Sequence, residues 1–201
     1  YRLLVTDSIS GCSRIDSVKI TNYKELSLQP INNYTLCSFD TLLPVFQSLD
    51  TNVLFNWSVS NTPFGSISGL SNGILEQFFS AQFPINNTIS VATSRIIVTA
   101  QLNNCISDPD TFFVSINPIA EVTYNNPSPI CSGNNMQILL NSLTNNVTYS
   151  WDTTWINNSQ FVANAKPDSG NIINQNLINN NDSGVASIRY IITPNYLGCA
   201  G

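Results

Sequence analysis

Short runs in which apolar and polar residues alternate follow one another along the whole chain, separated by turn-forming residues. The clearest is the run 52–60, in which Val53, Phe55 and Trp57 fall on one face while Asn56 falls on the other. Such alternation is typical of a β-strand with one buried face, and no run has the period of an amphipathic helix. The pattern therefore predicts an all-β chain in which short strands pack as immunoglobulin-like β-sandwiches.

The predicted strands form two similar series behind an N-terminal hairpin. The run 74–81 fits either a strand or a helical turn, because its periodicity favours neither. The hairpin strands are expected at 2–6 and 17–20, the first series at 26–28, 41–47, 52–60, 95–101 and 111–117, and the second at 121–124, 136–140, 147–151 and 187–193.

One segment occurs three times, with an arginine at its start and a cysteine ten residues later. The copies at 2–12, 95–105 and 189–199 read RLLVTDSISGC, RIIVTAQLNNC and RYIITPNYLGC. In each copy an apolar run leads into turn-forming residues, which predicts a strand that enters a polar hairpin.

A second pair of landmarks repeats with a similar period. Cys37 and Trp57 are 20 residues apart, as are Cys131 and Trp151, and the two pairs are 94 residues apart. A period of this length suits a whole small domain, and the short connectors predict modules stacked end to end. Both ends of the sequence are expected to cut through modules of a longer protein. The predicted divisions are the C-terminal part of an upstream module at 1–20, a module at 21–117, and a module lacking its last strand at 118–201.

The composition excludes several classes of function. Charged residues make up only 9% of the chain, and the seven basic ones are scattered singly, which disfavours a nucleic-acid-binding surface. No apolar run approaches the roughly 18 residues that a membrane helix needs. The chain has no histidine, so neither a Ser-His nor a Cys-His catalytic pair can form. We therefore expect no enzyme activity, no cofactor, no nucleic-acid partner and no membrane span.

The five cysteines recur at two positions of the module. Cys37 and Cys131 precede the second strand, whereas Cys12, Cys105 and Cys199 lie in the last hairpin. Recurrence at fixed positions favours disulfides. A metal site is disfavoured, because no Cys-x-x-Cys motif and no histidine would complete the set of ligands.

Two disulfide patterns remain open from the sequence, and free thiols are the third alternative. One joins cysteines within modules, as Cys37–Cys105 and Cys131–Cys199. The other joins Cys37 to Cys199 across the junction and leaves Cys12 and Cys105 for upstream modules and Cys131 for a downstream one. In a sandwich, a strand of about seven residues would hold the two cysteines of one module roughly 20 Å apart. A disulfide needs Cα atoms within about 7 Å, so this geometry favours the junction pairing.

Several motifs carry a resemblance to a known family. The second module reads ICSG at 130–133, YSW at 149–151, YIITP at 190–194 and GCAG at 198–201, and the first carries the looser copies LCS at 36–38 and FNW at 55–57. These motifs resemble the PKD-like and immunoglobulin-like repeats of very large Bacteroidota cell-surface adhesins that act in gliding motility. The resemblance implies a secreted filament at the cell surface, exported by the type IX secretion pathway.

On this resemblance, the chain would be a stalk or spacer segment of an extracellular adhesin filament. Its expected partners are neighbouring modules of the same chain, external surfaces or polysaccharides, and the motility and secretion machinery through other regions. Two alternatives stay open. The modules could themselves bind polysaccharide, or they could be accessory modules of a secreted polysaccharide-degrading enzyme.

The candidate ligand-binding residues are few. Asp108 and Asp110 form a loop carboxylate pair, with Asp16 and Glu25 as possible equivalents at the preceding junction. Carboxylates suit a structural calcium ion, although solvated turn residues are the simpler interpretation. Trp155 has no counterpart in the first module and is the candidate glycan contact. By strand parity, the predicted core aromatics are Phe55, Trp57, Tyr149 and Trp151.

Four hydroxyl residues are candidates for O-glycosylation. Each follows an aspartate, in triplets that resemble the acceptor sequence used by this bacterial group. They are Ser8, Ser17, Thr41 and Thr153.

Overall fold

The computed structural model describes residues 1–22, 24–63, 65–156, 159–182 and 184–201, which fold almost entirely as β-strands. We call 26–117 the first region and 121–201 the second region. The strands as far as the end of the first region are β1 (Arg2–Thr6), β2 (Ser13–Ser17), β3 (Tyr34–Cys37), β4 (Leu54–Thr62), β5 (Ile67–Ser68), β6 (Gly73–Glu76), β7 (Ile85–Asn86), β8 (Ala92–Leu102), β9 (Cys105–Ile106) and β10 (Asp110–Asn117). Those of the second region, which also holds a short 3-10 helix at Ser159–Phe161, are β11 (Thr123–Tyr124), β12 (Asn135–Asn141), β13 (Thr148–Trp155), β14 (Val162–Ala163), β15 (Asp168–Ser169), β16 (Ile172–Asn176), β17 (Ile178–Asn179), β18 (Ile188–Tyr196) and β19 (Cys199–Ala200).

β1 and β2 form an N-terminal hairpin that pairs with no other strand of the described chain. Its turn is built around Asp7, whose Oδ1 accepts hydrogen bonds from the amides of Ile9 at 2.8 Å and Ser10 at 2.9 Å. The bonds from Ser10 and then Ile9 hold the pKa of Asp7 below its usual value. Because the Asp7 amide also bonds the carbonyl of Cys12, the turn closes early. The returning strand therefore begins at Ser13, and the expected strand at 17–20 is wrong.

The main sheet of the first region has the strand order β3-β10-β8-β4-β6. β10 lies between two partners, running parallel to β3 and antiparallel to β8. The order β10-β8-β4-β6 is that of the G, F, C and C′ strands of an immunoglobulin variable-type sheet. The run 74–81, which the sequence left open, begins as strand β6 on the outer edge of β4.

The opposite layer of the first region is less regular than the sequence predicts. The expected strands at 26–28 and 41–47 are reduced to isolated bridges, Leu28 with Ser48 and Leu42 with Gln82. Pro44 lies in the second of these segments and has no amide hydrogen to donate to a ladder. Apolar burial rather than strand pairing holds these segments against the main sheet, because Leu26 and Leu42 are buried in the core.

Aromatic rings fill the core of the first region. The ring centroid of Phe46 lies 5.5 Å from Phe55, 5.6 Å from Trp57, 5.5 Å from Phe79 and 6.4 Å from Phe112. Most of these pairs meet edge to face, the geometry that the charge distribution of aromatic rings favours. The cluster joins the two layers, since Phe46 lies in the 41–47 segment of the opposite layer and contacts rings on β4 and β10 of the main sheet.

The second region repeats the layered plan with fewer strands. One sheet has the order β11-β12-β16, and the other has the order β15-β13-β18-β19. Its core holds Met136, Ile138, Tyr149, Trp151 and Ile173. No strand of the described chain takes the place that β10 has in the first region. The proposed limits at 20 and 117 stay a prediction.

A buried glutamine supports each core at a matching place. In the first region, Gln82 receives a hydrogen bond from the amide of Ser71 at 2.9 Å and donates to the Ser71 carbonyl at 3.2 Å. In the second region, Gln175 makes the same pair of bonds with Lys166, at 3.2 and 2.8 Å. Each side-chain amide thus satisfies both backbone groups of one residue in a loop that passes over the core.

Candidate functional site at the junction

The two regions are joined covalently by a disulfide between Cys37 and Cys199, called here the junction disulfide. The Cα atoms are 5.5 Å apart, within the range that disulfides require, and the sulfurs are 2.04 Å apart. Cys37 ends β3 and Cys199 begins β19, and 162 positions separate them in the sequence. This is the pairing that the strand geometry favoured, and it lies at the boundary between the two cores.

The alternative pairs, Cys37–Cys105 and Cys131–Cys199, are not formed. Cys37 lies opposite Asn117, the last residue of β10. Cys105 lies beyond the other end of β10, which begins at Asp110. An eight-residue strand therefore separates the two cysteines, which is roughly 20 Å or more. A disulfide cannot span that length.

Hydrogen bonds anchor the end of β10 beside the junction disulfide. Asn117 is 5% exposed, and its Nδ2 donates to the Cys199 sulfur at 3.3 Å. The Ser38 hydroxyl donates to the Asn117 carbonyl at 3.0 Å and accepts from the Asn86 amide at 3.0 Å. The Asn86 side chain in turn donates to the Ile116 carbonyl at 2.8 Å. The network fixes the turn after β3 to the last residues of β10.

The connector between the regions is packed rather than free. Pro118 and Ala120 are almost completely buried. The hairpin of the second region comes so close that a Cβ atom on Gly201 would lie 1.6 Å from the Ala120 carbonyl oxygen. The Gly201 amide is held by the Pro194 carbonyl at 3.0 Å. The buried connector and the disulfide, whose Cys199 side is buried, make two separate attachments at one interface, which restricts hinging between the regions.

The remaining cysteines, Cys12, Cys105 and Cys131, are free thiols, and Cys12 and Cys131 are exposed. Their pairing with upstream and downstream modules stays a prediction. Cys105 borders a small cavity with Lys24, Leu26 and Asp50, at the end of the first region away from the junction.

The candidate calcium ligands are only partly brought together. Glu25, Asp108 and Asp110 border one surface cavity of about 270 Å³, whereas Asp16 lies on β2 and bonds the amide of Ser17. Both oxygens of Asp110 accept backbone amides, from Ile31 at 2.9 Å and Thr111 at 2.8 Å. Within the described residues, no group of three or more Asp, Glu, Cys or His side chains is placed to hold a metal ion. A structural calcium ion stays a prediction.

The four predicted core aromatics are buried, with Phe55 5%, Trp57 4%, Tyr149 6% and Trp151 5% exposed. Burial also raises the pKa of the Tyr149 hydroxyl. None of these rings is accessible for stacking on a sugar. The side chain of Trp155, the candidate glycan contact, lies outside the described part of the structure.

The candidate O-glycosylation positions differ in accessibility. Ser8, Ser17 and Thr41 are exposed. Thr153 is half-buried within β13, where it pairs with Tyr190 of β18. A glycan on Thr153 would have to leave the sheet beside this pair, so the other three positions are the more accessible acceptors.

Neither a comparison with protein-family models nor one with curated proteins gives a match. Among solved structures, the FN1–FN3 domains of chicken CNTN1 are similar at 11% identity and a TM-score of 0.38, over 98% of this chain and 72% of that one. A chimeric titin Z1Z2 carrying a decorin peptide is similar at 11% identity and a TM-score of 0.31, over 90% and 94% of the two chains. An Escherichia coli alpha-2-macroglobulin gives 12% identity and a TM-score of 0.36, over 100% of this chain and 23% of that one. Because these scores are low, the immunoglobulin-like assignment rests on the strand order.

Over the described residues, no helix has the length and apolar character needed to cross a membrane.

Proposed function

We propose that this chain is a non-catalytic stalk or spacer segment of a secreted cell-surface adhesin filament that acts in surface adhesion and gliding motility. The junction disulfide carries the proposal, because it joins consecutive regions at a buried interface. A spacer that transmits force must resist separation and hinging at the junctions between its modules. The buried connector and the disulfide both act at that point.

An extracellular location agrees with the cysteine chemistry. Disulfides persist in oxidising compartments and are rare where thiols are kept reduced. The cell surface, the gliding machinery and the type IX pathway come from the sequence motifs, such as YIITP at 190–194, that resemble gliding-motility adhesins. The partners in this proposal are neighbouring modules, external surfaces or polysaccharides, and the motility machinery through other regions.

The junction disulfide also predicts how the chain responds to tension. A pull on Tyr1 and Gly201 passes from Cys37 to Cys199 through the disulfide and bypasses the loop between them. That loop of 162 residue steps would extend by roughly 530–580 Å at about 3.3–3.6 Å per residue. The bypassed loop contains the whole second core and most of the first, so tension on an oxidised chain acts directly only on the part before Cys37, which includes Leu26 and β3.

Single-molecule pulling between the two ends tests this behaviour. The matched protein carries Cys12→Ser, Cys105→Ser and Cys131→Ser, so that the junction disulfide alone remains. We expect the oxidised protein to release at most the residues before Cys37, and the reduced protein to release the length between Cys37 and Cys199 as well. Release of the full length without reductant would contradict a force-transmitting role.

A second experiment uses the whole surface protein on cells. Replacing Cys37 and Cys199 with serine should leave attachment at rest unchanged and lower the shear at which cells detach. Unchanged detachment together with strong binding of the isolated chain to a polysaccharide would support the alternative that the modules themselves are the binding units.

A further inference from the structure

One edge of β18 in the second region is unpaired over most of its length. β18 pairs with β13 along one side, and on the other only Asn195 and Tyr196 meet β19. Over 188–194, no strand of the described chain pairs with this second side. The equivalent strand of the first region, β8, is paired on both sides, with β4 and with β10.

Two cavities lie beside this open edge and lead into the core. The first, of about 460 Å³, is bordered by Ile130, Cys131, Met136 and Ile188. The second, of about 470 Å³, is bordered by Met136, Ile188, Tyr190 and Ile192 among others. Met136 and Ile188 border both cavities, so the two form a continuous slot between the segment 127–132 and β18.

The first region shows what fits such a slot. There, β10 lies between β3 and β8, and its inward residues Phe112, Val114 and Ile116 are 0% exposed. The repeat of 94 residues places Cys131 where Cys37 stands at the end of β3. It likewise places 128–131 at the position of β3.

The inward residues of β18 are uncovered in a matching way. Ile96 and Val98 of β8, whose edge is paired with β10, are 0% exposed. Their counterparts 94 positions later are Tyr190 and Ile192, which are only half-buried. The second core is therefore open where a strand equivalent to β10 would cover it.

We propose that this slot is a strand-acceptor site, occupied by an extended segment of the same polypeptide that follows Gly201 directly. The segment runs antiparallel to β18 and parallel to 128–131. A source in the same chain follows from the hairpin, because β9 leads into β10 within a few residues and β19 has the same pairing as β9. A strand from another chain would have to compete with the segment that this hairpin directs to the same edge of β18.

The first region also gives the register of the incoming strand. Phe112 lies opposite Ile96, and Asn117 lies opposite Cys37. By the same repeat, the fifth, seventh and ninth residues after Gly201 are apolar and enter the core. The tenth lies opposite Cys131 and completes there the surface that Asn117 forms beside Cys37. Filling the slot would therefore place a residue beside Cys131 as Asn117 is placed beside Cys37, at a second junction of the same kind.

The test appends the sequence of residues 108–118 directly after Gly201. We expect amide hydrogen exchange to slow by about tenfold or more at 189–193 and 130–131, and the second region to melt at a higher temperature. The matched control appends the same segment with aspartate in place of Phe112, Val114 and Ile116. It should give no protection, because charged side chains cannot enter the core.

Two further measurements keep the proposal open to refutation. The same segment added as a free peptide should bind more weakly than the appended one, because a tether raises its local concentration. Alkylation of Cys131 should slow only with the appended wild-type segment. If the appended segment gives no protection, the edge of β18 is closed and the proposal is wrong. If the unextended chain dimerises and exchange slows at 189–193, the edge accepts a second copy and the proposal is also wrong.

Discussion

Trp57 and Trp151 occupy the same place in their strands, 94 residues apart, yet their surroundings differ. The Trp57 indole Nε1 donates to the Ser71 carbonyl at 2.9 Å, whereas the Trp151 Nε1 has no acceptor among the described residues. The Trp57 ring also packs directly on the backbone of Gly73, where an added Cβ would lie 2.1 Å from it.

The first core is also the more closely packed of the two around its tryptophan. Trp57 contacts the rings of Phe46 and Phe79, and Phe46 also contacts Phe112 of β10. Around Trp151, the described residues form no ring pair, and the slot beside β18 is open. Equal spacing of the landmark residues therefore sets where the tryptophans lie, while the neighbouring strand and loop decide how well each is packed.

The largest expected effect comes from removing the central ring of the first core. Phe46→Ala should lower the free energy of unfolding by about 3–5 kcal/mol, because four ring contacts are lost and a cavity remains. Met136→Ala in the second core should fall near the lower end of about 2–5 kcal/mol, since Met136 already borders open space. Hydrogen exchange in denaturant measures the free energy of unfolding of each region separately. Equal losses of stability in the two variants would contradict the difference in packing between the cores.

A double-mutant cycle tests the contact between each tryptophan and its glycine. Gly73→Ala should cost about 1–3 kcal/mol through overlap with the Trp57 ring, and most of that cost should vanish in a Trp57→Leu background. Gly170→Ala is the matched control. Its φ of +139° makes the cost conformational, and its Cβ would stay 3.9 Å from Trp151. That cost should persist in a Trp151→Leu background, and coupling at both pairs would contradict the comparison.

Replacing each indole by a phenyl ring isolates the hydrogen bond. Trp57→Phe loses the bond to Ser71 and should cost about 0.5–1.5 kcal/mol more than Trp151→Phe, which removes a donor that has no acceptor among the described residues. Chemical denaturation of the two variants measures the difference. A larger loss for Trp151→Phe would show that its indole nitrogen is satisfied in solution.

The last expected effect is absent at neutral pH and belongs to the second region alone. Burial raises the pKa of Tyr190 to about 12, and its hydroxyl donates to Gln175 Oε1 at 2.7 Å. Between the ordinary tyrosine pKa near 10 and this value, the folded state keeps a proton that the unfolded state has lost. Stability is therefore complete below pH 10 and falls as the pH rises towards 12. Melting curves across this interval should show the loss, and Tyr190→Phe should remove the Tyr190 share while leaving the share of Tyr149, whose pKa burial also raises.

The sequence predicted the parts of the fold that local alternation determines. Strands around Phe55, Tyr149 and Ile192 lie where the pattern indicates, and the tryptophans point into the cores. The junction pairing of Cys37 with Cys199 also followed from a geometric limit on distance that needs no packing detail.

Other features depend on contacts that no local pattern reveals. β3 pairs in parallel with β10, about 80 residues later, and its segment at 34–37 shows little alternation. The hydrogen-bond network of Asn117, Ser38 and Asn86 was missed because asparagine and serine are frequent throughout the chain, so three of them carried no signal. The one sequence feature that pointed to this network is Asn117, a polar residue at the end of a predicted apolar strand.

The junction disulfide also changes what a protease can do to this chain. A single cut in the backbone at any point between Cys37 and Cys199 leaves one cysteine on each fragment, so the fragments stay joined. Only cuts in the first 37 residues, or after residue 199, release material. If Cys105 and Cys131 pair with neighbouring modules in the same way, the closed loops overlap and every residue lies inside at least one of them. Such a filament survives isolated cleavages with its length and its attachments intact.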